Sequence, residues 1–209
     1  MTENLSQEPW PLGVTPKWLA LAKTPGWLTI PPTHSKDRQQ VLIEWARARH
    51  GALWVVHRID RPTSGVVLFA RSEAAHREAC QWFEKGKVKK TYVFISQGVP
   101  ERPIWMIKHP IKGKTCTTQV RVIRQGNNVF LGEASPLTGR RHKIRIHLKE
   151  EGHPILGDTE YGGATEFVGQ AAAVSVGRVA LHAKRLELPD GNQFECEEWE
   201  DFAEWSKQI

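Results

Sequence analysis

A chain of 209 residues with six more basic than acidic side chains, at a sequence pI near 9.3, has room for one generous domain or two small lobes and favours a polyanionic partner. Its three cysteines, Cys80, Cys116 and Cys196, stand far apart with no Cys-x-x-Cys pair, which argues against a disulfide framework and a zinc knuckle. No apolar run approaches the ~18 residues of a membrane span and no signal-peptide pattern opens the chain, so a reducing, cytoplasmic setting is expected.

Residues 1–15 are polar and contain proline, and are expected to form a loose arm. Trp18–Ala22 reads as a strand ended by the turn Lys23-Thr24-Pro25-Gly26, and Trp27–Ile30 as a second short strand. Asp37–His50 carries Val41, Leu42, Trp45 and Ala48 at helical spacing, with Gly51 as its stop. Leu53–Val56 and Val66–Ala70 are short apolar runs of strand type, and between them lies the loop His57–Gly65. That loop packs two arginines, an aspartate, a histidine and two hydroxyls into nine residues. Pro62 presets one φ angle and Gly65 permits a tight exit, so the loop is expected to be stiff. A stiff loop at a sheet edge is a fitting seat for a catalytic carboxylate. The residues alone leave a second reading open, in which Asp60 pairs with Arg58 or Arg61 or caps a turn.

Ser72 is placed to cap a helix Glu73–Glu84, with Ala75, Ala79, Trp82 and Phe83 as its buried stripe. Val88–Ser96 reads as a strand and carries Tyr92, one of two tyrosines in the chain. Pro100–Thr115 reads as a loop, basic through Arg102, Lys108, His109, Lys112 and Lys114, with Trp105 and Met106 interleaved. Such a loop suits RNA contact or a solvated excursion. Thr117–Arg124 and Asn128–Ala134 predict a hairpin around Gln125-Gly126-Asn127. The alternation of Ile144, Ile146 and Leu148 suits a strand, while the spacing of Ile144 and Leu148 suits a helix. Gly152–Gly163 is turn-rich and reads as an ordered loop; residues 164–177 show no pattern. Arg178–Ala183 and Arg185–Leu188 read as two strands, Gln193–Cys196 as a return strand, and Glu197–Ile209 as a closing helix with Trp199, Phe202, Ala203 and Ile209 inward. Strands outnumber helices and are joined by hairpins or short loops, which predicts an α+β domain with a large mixed, mainly antiparallel sheet.

The loop His57-Arg58-Ile59-Asp60-Arg61 with Thr63-Ser64-Gly65 resembles the signature of the RluA-type pseudouridine synthases. Gly139-Arg140-Arg141-His142-Lys143-Ile144-Arg145-Ile146-His147-Leu148 and His153-Pro154-Ile155-Leu156-Gly157-Asp158 resemble the family's later blocks, in the same order. The resemblance implies the pseudouridine synthase fold, its sheet bent between two lobes with flanking helices. It places that fold in a single catalytic domain over residues 16–209, with no N-terminal S4 domain. It resolves the ambiguous segment as a helix over Arg140–Glu150, with Arg141 and Arg145 on one face. It implies isomerisation of a uridine to pseudouridine in a structured RNA, tRNA or rRNA, with no cofactor and no metal; a monomer is expected.

The same resemblance assigns roles. Asp60 is the catalytic carboxylate and Arg145 the cation that keeps it ionised and oriented across a salt bridge. Tyr92 stacks on the target uracil, and its hydroxyl assists loss of the C5 proton. Arg58 fills the gap left by the flipped base, and Leu181 forms an apolar wall of the uracil pocket. His57 and His142 orient their loops. Arg140, Arg141 and Lys143 meet phosphates together with the basic stretch from Lys108 to Lys114. Arg141 and Lys143 stand where relatives often have Thr and Gln, and Ile59 replaces a usual Leu; the Arg141 form resembles a branch that modifies tRNA. Two other classes compete. A catalytically idle RNA-binding module of the same fold would not need Asp60, Tyr92 and Arg145 together. A metal-dependent hydrolase would use Asp60 and Asp158 with His147 and His153.

Overall fold

The computed structural model describes residues 8–32, 40–137 and 139–209. The chain divides into two units, one running to Val88 and taking in Arg185–Glu197, the other made of Lys89–Lys184 and Glu198–Ile209.

In the first unit lie β1 (Trp10–Val14), β2 (Trp18–Lys23), α1 (Leu42–His50), β3 (Trp54–Val55), β4 (Ser64–Ala70) and α2 (Glu73–Glu84). β2 pairs antiparallel with β1 and, from Trp18↔Ala70 to Lys23↔Gly65, with β4; β3 also pairs with β4. Every residue of β2 and of β4 is buried, so their apolar runs are continuous rather than alternating, as strands covered on both faces require. α2 begins as its sequence predicts, the Ser72 hydroxyl accepting from the Ala75 amide at 3.2 Å. Ala75 and Ala79 are buried, while Trp82 is half-buried against Trp18 with ring centroids 5.7 Å apart.

Three expectations here are corrected. Residues 10–14, expected in a loose arm, form β1, because Trp10 to Val14 find the ladder of β2; residues 1–7 lie outside the described ones. Trp27–Ile30 is not a strand: Leu28 makes one isolated bridge to Val41. α1 starts at Leu42 rather than Asp37, after Gln40 in the left-handed region (φ 57°) and Val41 in an extended one; residues 37–39 of the expected helix fall outside the described ones.

In the second unit lie β5 (Lys89–Gln97), β6 (Ile104–Ile107), β7 (Thr118–Gln125), β8 (Val129–Pro136), α3 (Lys143–Glu150), a single 3-10 turn (Thr159–Tyr161), β9 (Glu166–Val168) and β10 (Ala173–Ser175). β11 (Leu181–Glu187) passes from the second unit into the first, where its last three residues pair with β12 (Gln193–Glu195); α4 (Glu200–Lys207) ends the chain back in the second unit. The ladder β5-β8-β7-β6 is antiparallel throughout. Its core contains Phe94 and Phe130, edge to face at 5.6 Å, with Leu148, Leu156, Phe202 and Trp205. A Cβ at Gly132 would fall 2.5 Å from the Phe94 ring, so β8 needs glycine there to let the aromatic pack.

The hairpin β7–β8 forms as its sequence predicts. β6 was expected as loop; it is a strand because Trp105 and Ile107 turn inward while Ile104 and Met106 face out, a period of two. α3 starts at Lys143, not Arg140, because His142 takes a left-handed conformation (φ 55°, ψ 19°) that no helix continues. Arg141 therefore does not share a helical face with Arg145. The unpatterned stretch 164–177 holds the small hairpin β9–β10, and β11 is one strand where two were expected. In α4, Trp205 is buried and Ala203 is only half-buried.

Candidate active site

The signature loop is fastened from several sides within its own unit. The Thr63 amide donates to the Asp60 carbonyl at 3.1 Å, closing a turn over Asp60-Arg61-Pro62-Thr63. Gly26 N–H donates to the Arg61 carbonyl at 2.9 Å, and Arg61 Nε returns a bond to the Gly26 carbonyl at 2.9 Å. The fully buried Lys23 ammonium donates to the carbonyls of Trp27 (2.8 Å), Thr24 (3.1 Å) and Arg61 (3.1 Å), joining the turn after β2 to the loop. Thr29 Oγ1 bonds both the amide and the carbonyl of Ile59. His57 accepts the Leu68 amide on Nε2 at 2.9 Å and stacks on Phe83 at 5.0 Å, which is the loop-orienting part expected of it. Gly65, at φ 114°, makes the exit in a conformation that disfavours a Cβ. So Ile59 points inward as an anchor, Asp60 stands half-buried, and Arg58 is exposed.

In the second unit α3 carries the other half of the expected machinery. Arg145 is 4 % exposed and grips Asp158, itself 1 % exposed, through Nε–Oδ2 and Nη2–Oδ1 bonds of 2.6 Å each. Nη2 also donates to Glu160 Oε2 at 2.9 Å, and the guanidinium carbon lies 4.8 Å from the Tyr161 ring centre. Planar bidentate pairing fixes the orientation of a guanidinium as no lysine could. Burial pulls the Glu160 pKa upward, but the bond from Arg145 and its positive charge outweigh that and hold the carboxyl below its ordinary value. Asp158, Glu160 and Tyr161 were missed as parts of this site. The signal was the carboxylate that closes the His153–Asp158 block, 13 residues beyond Arg145.

Tyr92 lies half-buried on β5 opposite Ala134, and Leu181, 3 % exposed, opens β11. Arg140 and Arg141 are exposed ahead of α3, as are Lys108, Lys112 and Lys114. Lys143, expected on phosphate, is turned inward instead: it is 4 % exposed and its ammonium donates to the Thr117 carbonyl at 2.9 Å. Burial, aided by the charge of Lys90 nearby, brings its pKa down to about 7. The groups a metal-dependent hydrolase would need are otherwise engaged. Both Asp158 oxygens hold Arg145, the two nitrogens of His147 meet Thr118 Oγ1 and the His109 carbonyl, and His153 Nδ1 meets the Gln97 carbonyl.

Comparison with known proteins gives the family and the fold. The family described as RNA pseudouridylate synthase matches residues 17–150. The tRNA pseudouridine synthase C of Salmonella typhi is 31% identical over 215 aligned positions, covering 90% of this chain and 80% of that one. The ribosomal large subunit pseudouridine synthase C of Vibrio parahaemolyticus is 32% identical over 65% of this chain and 47% of its own. Among solved structures, human RNA Pseudouridylate Synthase Domain Containing 1 superposes with a TM-score of 0.76 at 22% identity, covering 95% of this chain and 86% of that chain. That likeness shows the fold, the α+β architecture expected from the sequence.

Proposed function

We propose, from the premise that this chain belongs to the RNA pseudouridylate synthase family, that it isomerises one uridine in a structured RNA by means of Asp60. In this reaction the C1′–N1 bond breaks, the uracil turns and C5 joins C1′. The C5 proton is lost and N1 gains one, so no atoms enter or leave overall. Asp60 is the carboxylate at the reacting sugar and base. Tyr92 stacks on the uracil, and Leu181 walls its pocket. Arg58 takes the place of the base once it has left the stack. Arg145 is assigned the part of the cation that keeps the catalytic carboxylate ionised.

One observation carries the reading. The family-like loop presents a single carboxylate on a segment whose neighbours are tied down by Lys23, Thr29, Gly26 and His57, and pre-set geometry is what such chemistry requires. The exposed cations Lys108, Lys112, Lys114, Arg140 and Arg141 are assigned to RNA phosphates. The relative named for tRNA aligns over more of both chains than the one named for ribosomal RNA, which favours tRNA as the substrate. The protein is assigned to the cytoplasm and acts as a monomer; among the described residues no helix is long and apolar enough to cross a membrane. Mapping pseudouridine in total RNA from cells with and without this gene tests the reading. One site, in tRNA, should disappear with the gene. Loss from ribosomal RNA would move the substrate, and no loss anywhere would remove the function.

A further inference from the structure

The donors and acceptors around α3 form one directed chain. Arg141 donates from Nε to His142 Nε2 at 3.2 Å, so that nitrogen is the acceptor and the ring proton sits on Nδ1. His142 Nδ1 lies 3.0 Å from the Tyr161 hydroxyl oxygen, the two rings edge to face at 5.8 Å. The same Nδ1 stands 3.5 Å from Glu160 Oε1. Glu160 Oε2 accepts Arg145 Nη2 at 2.9 Å, and the Tyr161 ring lies 4.8 Å from the Arg145 guanidinium carbon. One end of the chain is the exposed Arg141, whose Nη groups have no partner among the described residues; the other is Arg145, 4 % exposed. The fold holds His142 in a left-handed conformation to make this link, and a non-glycine residue held there points to a role beyond packing.

We propose that His142 and Tyr161 are positioning residues, through which an RNA phosphate held on the Nη groups of Arg141 fixes Arg145 in its working orientation. The inference rests on the synthase reading and deepens it: Arg141 serves the rate of the reaction as well as RNA affinity. Each hydrogen bond along a chain polarises the next, so fixing the outer end stiffens the inner one. The variant Tyr161→Phe is diagnostic, because it removes only the hydroxyl and leaves the ring beside Arg145.

The test is a double-mutant cycle in single-turnover conversion, with saturating total RNA from cells lacking the gene, read at the uridine found by mapping. Arg141→Ala and Tyr161→Phe should each slow conversion about tenfold, and the double variant should be no slower than either. RNA affinity, measured in an Asp60→Asn background, should fall with Arg141→Ala and stay unchanged with Tyr161→Phe. Losses that multiply to about a hundredfold, or a Tyr161→Phe rate equal to wild type, would overturn the proposal. A second readout needs no activity: nitrogen NMR of the His142 ring should show the Nδ1-protonated tautomer, and an Nε2-protonated ring contradicts the chain. Wild-type turnover by Asp60→Asn would strike the synthase reading instead, and would leave the tautomer result standing.

Discussion

Arg145 serves two carboxylates of its own unit before it serves any substrate. Replacing it by Met leaves Asp158 buried without its cation, which costs about 3–5 kcal/mol. That variant tests stability more than chemistry. Arg145→Lys keeps the charge and loses the fork, so thermal unfolding should shift modestly while single-turnover conversion falls about a hundredfold. Equal losses in both measurements would make Arg145 a structural residue alone. Lys143 supplies a prediction in pH. Its folded pKa of about 7 lies below the ordinary 10.5, so between those values the unfolded chain holds the proton and the folded chain does not. The cost is fully present below pH 7, and stability from this group rises as pH climbs towards 10.5. Lys143→Met should therefore stabilise the protein by about 1–4 kcal/mol at pH 6 and by clearly less at pH 9. Denaturant unfolding at the two pH values measures the difference. Asp60 and Arg145 were legible as candidates because motif residues announce themselves. The inward turn of Lys143 was not, since a lysine written between arginines reads as surface charge.

At the scale of elements, the signature loop depends on a residue outside it. Lys23 ends β2 and its ammonium bonds three carbonyls, one of them in the loop. Lys23→Met would leave those carbonyls without their donor and should destabilise by about 3 kcal/mol. Conversion at a temperature where the variant remains folded should also fall, because the loop loses its fastening to the turn after β2. Full activity in a destabilised but folded Lys23→Met would separate the loop's geometry from this anchor. Elements with one clear period were readable beforehand: α2 with its Ser72 cap, and the β7–β8 hairpin. β6 was hidden because basic residues on both sides of Ile104–Ile107 gave the whole stretch the composition of a loop. The start of α3 was hidden because a left-handed histidine has no sequence signal comparable to a glycine or proline.

At the scale of the whole molecule, the cations sort into an exposed set and a buried set. Of the cations expected on phosphate, Lys108, Lys112, Lys114, Arg140 and Arg141 are exposed, while Lys143 is buried, as are Lys23, Lys90 and Arg145. RNA affinity should therefore fall with salt, and neutralising Lys108, Lys112 and Arg140 together should flatten the slope of log affinity against log salt by about 2. An unchanged slope would put the RNA on another surface. The α+β class was legible from the balance of strands and hairpins. The place where one unit gives way to the other was not legible, because β11 carries the chain across without a linker to mark the boundary.

The account stands most directly on the carboxylate of the signature loop. The measurement is pseudouridine formation by purified Asp60→Asn protein, under single-turnover conditions, on total RNA from cells lacking the gene. The account predicts that this variant binds the RNA with wild-type affinity and unfolds at the wild-type temperature. It also predicts that the variant forms no pseudouridine at the site the wild type modifies. Conversion at a near-normal rate by Asp60→Asn would contradict it.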